Sequence, residues 1–115
     1  MTTSAEVAID RHQDAVVAHL SGEIDMTNSA YVGDELLRSM PNDVPALVLD
    51  LAETRYIDSA AIELLFDMSR RLQRRRQELR LVLPAGSPLK RVLTLTDIES
   101  AAPLHETLEE ALADN

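Results

Sequence analysis

Residues 46–72 read ALVLDLAETRYIDSAAIELLFDMSRRL, and a change of period inside this stretch decides the fold. Ala46–Leu51 is an almost continuous apolar run, the pattern of a strand buried on both faces of a sheet. Tyr56-Ile57 adds a second brief apolar step. After Asp58-Ser59 the period becomes helical. Ala61, Leu65, Met68 and Leu72 fall at i, i+4, i+7 and i+11, and Ile62 and Phe66 widen the stripe. This helix is expected to run into the basic cluster Arg70, Arg71, Arg74, Arg75, Arg76.

The same alternation extends in both directions. Upstream, Val7–Ile9 reads as a short edge strand, and Ala15–Leu20 as an apolar, β-branched strand ending at Ser21-Gly22. The Gln13-Asp14 pair between them predicts a hairpin. Thr27-Asn28-Ser29 offers helix caps, followed by an imperfect stripe of Ala30, Val32, Leu36, Leu37 and Met40. Downstream, Leu79–Leu83 reads as a strand stopped by Pro84. Ser87-Pro88 opens a helix whose buried face is expected from Leu89, Val92, Leu93 and Leu95. Pro103-Leu104-His105 suits a last short strand, and Glu106–Ala113 a terminal helix with Leu108 and Leu112 at i and i+4. The order is β-β-α-β-α-β-α-β-α. It predicts an α/β fold, with a mixed central sheet, mostly parallel at its centre, and about four helices.

Composition narrows the function. A chain of 115 residues suits one domain spanning 1–115, and 45% hydrophobic with 27% charged residues is globular rather than disordered. Cysteine is absent, which removes disulfides, zinc–thiolate sites and thiol catalysis. The net charge of −9 and a 3% aromatic content argue against nucleic acid as a partner, since phosphate needs a basic face and single strands need stacking platforms. No apolar run approaches the ~20 residues that cross a bilayer, and Met1–Glu6 carries no signal pattern. The expected compartment is the cytoplasm. Five of the eleven basic residues sit in the 70–76 cluster, whose simplest role is a solvated helix end favoured by the dipole. The acidic remainder suits a basic protein partner.

Chemistry centres on two places. Ser59 stands where a strand gives way to a helix. It is expected either to cap the free amides there or to carry a phosphoryl group at the positive end of the dipole. Physics alone does not separate these two readings. Gly22-Glu23-Ile24-Asp25 reads as a turn with two carboxylates. It is either simply solvated or placed so that Asp25 orients the Ser59 hydroxyl. His12, His19 and His105 lack ligand spacing, so neither a metal nor a cofactor is expected. Gly-x-Ser-x-Gly and Gly-rich phosphate loops are absent, so the chain does not read as an enzyme.

Four segments together carry a family resemblance: Gly22-Glu23-Ile24-Asp25, Val48-Leu49-Asp50-Leu51, Tyr56-Ile57-Asp58-Ser59 and Arg91-Val92-Leu93-Thr94-Leu95-Thr96. In this order they resemble the STAS domain, and within it the bacterial anti-sigma factor antagonists; Glu109-Glu110-Ala111-Leu112 is similar to the family's usual ending. The resemblance implies a regulatory protein that binds an anti-sigma factor of the serine-kinase type and so frees a sigma factor. Phosphorylation of Ser59 would abolish binding, and a phosphatase would restore it. The implied partner surface comprises Glu23, Asp25, Thr27, Asp58, Ser59, Ala60, Ala61 and Glu63, on a monomer or weak dimer. The family commonly reads Asp-Ser-Ser-Gly-Leu-Gly where this chain has Asp58-Ser59-Ala60-Ala61-Ile62-Glu63. The lost glycines and added charge keep an alternative open, a non-phosphorylated STAS scaffold of a stressosome-like or lipid-transport complex.

Overall fold

The expected alternation of strands and helices is present in a computed structural model of the chain, which describes residues 5–12 and 14–113. Met1–Ser4 and Gln13 of the expected hairpin turn lie outside the described residues. The strands are β1 (Ala5–His12), β2 (Ala15–Ile24), β3 (Ala46–Ile57), β4 (Glu78–Val82) and β5 (Leu104–His105). The helices are α1 (Ser29–Arg38), α2 (Ser59–Arg74), α3 (Lys90–Leu95) and α4 (Leu108–Ala113), with a 3-10 turn at Ile98–Ser100. The five strands lie side by side in chain order. β1 is antiparallel to β2, and the remaining neighbours are parallel. The sheet is therefore mixed, with helical crossovers between the parallel strands.

The apolar run of residues 46–51 has the structure its pattern predicts. Leu47, Leu49 and Leu51 enter the larger core with Leu36, Leu65, Met68, Leu72 and Leu81. Ala46 and Val48 enter a smaller cluster on the opposite side, closed by Ala111 with Leu108 and Leu112 packed against it. A residue buried on either face must be apolar, so the usual strand alternation disappears. Arg80 fastens α4 to this second face. Its Nε donates to Glu78 Oε2 at 2.6 Å and its Nη1 to the Ala111 carbonyl at 2.9 Å. Away from α4 the same face turns polar: His19 Nδ1 lies 2.8 Å from Asp50 Oδ2, and its Nε2 3.6 Å from Asp10 of the edge strand.

Several elements differ from the sequence expectation. β1 and β2 are longer than Val7–Ile9 and Ala15–Leu20. Tyr56-Ile57 is not a separate step but the end of a 12-residue β3. That strand pairs with β4 only over Ala46–Asp50, and beyond it continues beside β2 alone. Its outer part therefore exposes Ala52, Glu53, Arg55 and Tyr56, and its apolar pattern fades. Gly22 belongs to β2 rather than to a turn. Its φ of 91° lies in the left-handed region and coincides with a register shift between Gly22 and Glu23. At the earlier shift, between His19 and Ser21, the buried Thr54 hydroxyl donates to the Leu20 carbonyl at 2.7 Å. That bond satisfies a backbone acceptor which the irregular ladder would leave in an apolar setting. Leu93 of α3 and Leu89, its N-cap residue, are buried as expected. Val92 and Leu95 are exposed, because a helix of 6 residues turns only one narrow stripe inward.

Candidate functional site

The strand ends at Ile24 and Ile57 lie side by side, since these residues are register partners in the parallel β2–β3 pair. The chain leaving each strand starts a helix on the same side of the sheet. This brings the β2–α1 loop, residues 25–28, against the start of α2.

Asp58 joins the two. Its extended backbone, φ −110° and ψ −171°, makes it the N-cap of α2, and its Oδ1 accepts from the Ala61 amide at 3.1 Å. Its Oδ2 accepts from the Met26 amide at 3.0 Å. The Asp58 amide donates to the Ile24 carbonyl at 3.3 Å. One carboxylate thus satisfies an orphan donor of the helix and one of the loop. The cap expected from Ser59 is supplied by Asp58. Ser59 is the first helical residue, and it is exposed. Asp58→Ala is expected to cost about 1–2 kcal/mol through the lost cap. Amide exchange at both Ala61 and Met26 should accelerate together, and acceleration at Ala61 alone would show that the loop is held by other contacts.

The loop is organised from within. Asp25 Oδ1 accepts from the Thr27 amide at 2.9 Å and from the Thr27 hydroxyl. The expected helix caps at residues 27–29 act differently from the pattern reading. Asn28 occupies the N-cap position of α1, but its side chain does not cap it. Instead its Nδ2 donates to the Glu23 carbonyl at 2.9 Å, and its Oδ1 accepts from the Asp25 amide at 3.0 Å. The carboxylate of Asp25 therefore shapes the loop through Thr27, and Asp58 makes the link from this loop to α2.

Of the eight residues nominated for a partner surface, Thr27 and Ser59 are exposed, as is Glu63 one helical turn beyond Ser59. Glu23, Asp25, Asp58 and Ala60 are partly exposed. Ala61 is buried at 2% and packs into the core, out of reach of a partner. Two residues that sequence reasoning missed border the same place. Met26 is 79% exposed and Tyr56 is 51% exposed. Neither falls in a periodic stripe, and nothing in the sequence marks Met26 as a loop tip. The 70–76 arginines stand at the far end of α2. Arg70 and Arg71 meet Asp67, and Arg75 Nη2 donates to the Met40 carbonyl at 2.9 Å, so part of the cluster is structural. Among the described residues no group of three His, Cys, Asp or Glu side chains is placed to hold a metal ion. No helix there is long and apolar enough to cross a membrane.

The architecture is that of a small α/β domain presenting a helix N-terminus and an adjoining loop as a continuous surface. The STAS domain model matches residues 6–111, and the chain belongs to the STAS domain family. A relative from Mycobacterium tuberculosis, the anti-sigma-F factor antagonist RsfB, is 26% identical over 110 residues, covering 95% of this chain and 88% of that protein. The crystal structure of an anti-sigma factor antagonist from Mycobacterium paratuberculosis aligns with a TM-score of 0.84 and 25% identity, over 96% of this chain and 92% of that one. The phosphorylated form of the Bacillus cell fate determinant SpoIIAA shares the fold, with a TM-score of 0.69 and 17% identity over 94% and 97% of the two chains.

Proposed function

We propose that this chain is an anti-sigma factor antagonist that acts in the cytoplasm by binding, not by catalysis, and is switched off by phosphorylation of Ser59. The observation carrying this reading is the division of labour at the start of α2. Asp58 supplies the cap, which leaves the exposed Ser59 hydroxyl without that structural duty. The names of the relatives from Mycobacterium support the antagonist role. In the unmodified state an anti-sigma factor of the serine-kinase type packs on the first turn of α2 and the 25–28 loop. Transfer of the γ-phosphoryl group of ATP to the Ser59 oxygen releases ADP and the hydroxyl proton. It adds about −1.5 to −2 charge. That charge stands beside Asp58 and one turn from Glu63, and it must be desolvated if the partner is to stay bound. A phosphatase hydrolyses the ester and restores the hydroxyl.

The test is incubation of the chain with its cognate anti-sigma factor and ATP, followed by intact-mass measurement and peptide mapping. A gain of one phosphate, located at Ser59 and accompanied by dissociation, is the expected result. Complex formation with no mass gain would refute the switch and favour a second reading, a non-phosphorylated STAS scaffold. The feature favouring that second reading is Glu63, an exposed carboxylate four residues after Ser59 on the same helical face.

A further inference from the structure

A groove runs between α1 and α2, beginning at Ala60. Ala30, Gly33 and Asp34 line it from α1, and Ala60, Glu63 and Leu64 from α2. The helices come close at Gly33, where an added Cβ would stand 2.9 Å from Leu64 Cδ1. The groove holds two adjoining depressions that share Ala30, Leu64 and Asp67: one of about 610 Å³ bordered by Glu63 and Arg70, the other of about 210 Å³ bordered by Asp34 and Arg71. Ala30 and Leu64 are the apolar part of the groove's shared lining. Its charges are not equivalent. Asp67, in the wall, is engaged by Arg71 Nε at 2.9 Å. Asp34 and Glu63 are exposed on opposite helices and have no ion pair among the described residues.

We infer that this groove seats a helix of the anti-sigma factor that presents arginine or lysine side chains to Asp34 and to Glu63. The inference rests on the antagonist reading and adds to it a second contact surface and the chemistry of its occupant. Two parallel walls of helix accept the side-chain ridge of a third helix more readily than a flat strand. Apolar side chains of that ridge would cover Ala30 and Leu64, while its basic side chains meet the two carboxylates that lack an ion pair among the described residues. The charge of the whole chain, −9, attracts the same kind of partner and opposes a second copy of itself. Glu63 then has a role in the unmodified state, selecting a basic partner, besides repelling a phosphate on Ser59.

The experiment measures affinity for the cognate anti-sigma factor by titration calorimetry. Asp34→Lys and Glu63→Lys are each expected to weaken binding about tenfold or more, and Asp34→Asn by a smaller factor. Glu109→Lys, on the exposed side of α4, should stay within about twofold of wild type. Asp34 and Glu63 are exposed, so circular dichroism and thermal melting should be unchanged. Wild-type affinity in both charge reversals would overturn the groove inference while leaving the antagonist reading intact. No binding by the wild-type chain would overturn both. A wild-type dimer that Asp34→Lys dissociates in sedimentation would assign the groove to a second copy and also overturn the inference.

Discussion

Ser59→Asp is expected to weaken binding of the anti-sigma factor by at least about thirtyfold, roughly 2 kcal/mol, with little change in thermal stability. The new carboxylate would sit at the first position of α2, where the helix dipole favours an anion by about 0.3–1 kcal/mol. That gain offsets the like-charge repulsion of about 0.2–0.5 kcal/mol from Glu63 at i+4. Binding loses because the docking surface gains a charge that must be stripped of water, between the existing carboxylates of Asp58 and Glu63. Ser59→Ala is the control. It removes no cap, since Asp58 Oδ1 already accepts the Ala61 amide, and it should bind within a few-fold of wild type. Calorimetric titration of both variants decides the matter, and equal affinity of the aspartate variant and wild type would falsify the switch.

The largest effect on stability is expected at Leu49. It lies in the middle of the central strand, is 0% exposed, and belongs to the larger core cluster. Leu49→Ala removes its buried methyl groups and leaves a cavity that rigid strands on either side cannot close. The cost should be about 3 kcal/mol, with a drop in Tm of roughly 10 °C for a domain of this size. The same change at Leu95, which is 73% exposed, should stay within about 0.5 kcal/mol. Urea titration of the two variants measures the contrast. A Leu49→Ala midpoint equal to that of Leu95→Ala would show that the core relaxes around the lost side chain.

That contrast also shows what periodicity can and cannot disclose. Leu47, Leu49 and Leu51 alternate with Ala46 and Val48, and a run this nearly continuous in apolar residues has few solutions other than a strand covered on both sides. The long α2 stripe was legible for the same reason, because four turns give the pattern room to repeat. Short elements gave no such statistics. At α3 and its N-cap the apolar residues Val92 and Leu95 look no different from Leu89 and Leu93, yet they face outward. The outer half of β3 was hidden because Glu53, Thr54 and Arg55 are polar. Its strand character comes from pairing with β2, a long-range fact absent from local sequence.

The candidate site was legible in its place along the chain but not in its wiring. A serine after a strand and before a helix marked the place, and the resemblance to the STAS domain singled out the residues around it. In the sequence Ser59 alone reads as the cap, although an aspartate caps as well as a serine. The backbone settles it by placing residue 58 in the extended region. The role of Asn28 was misread for a related reason. Its type suits a cap, but its side chain reaches back across the loop to Glu23 and Asp25 instead. Met26 became visible only when the loop was folded and its side chain stood clear.

The forked carboxylate of Asp58 constrains how such a surface can diversify. Because its two oxygens serve separate segments, the loop and the helix end present themselves to a visitor as one plate, with little freedom to adjust independently. An asparagine there has one oxygen to offer two amides and would let the pieces drift apart. Variation compatible with the plate is thus pushed to outward positions that bear no frame duty. Ala60 and Glu63 are such positions, partly or fully exposed and without a bond to the joint. A lineage can exchange one partner for another at these sites without rebuilding the joint beneath them.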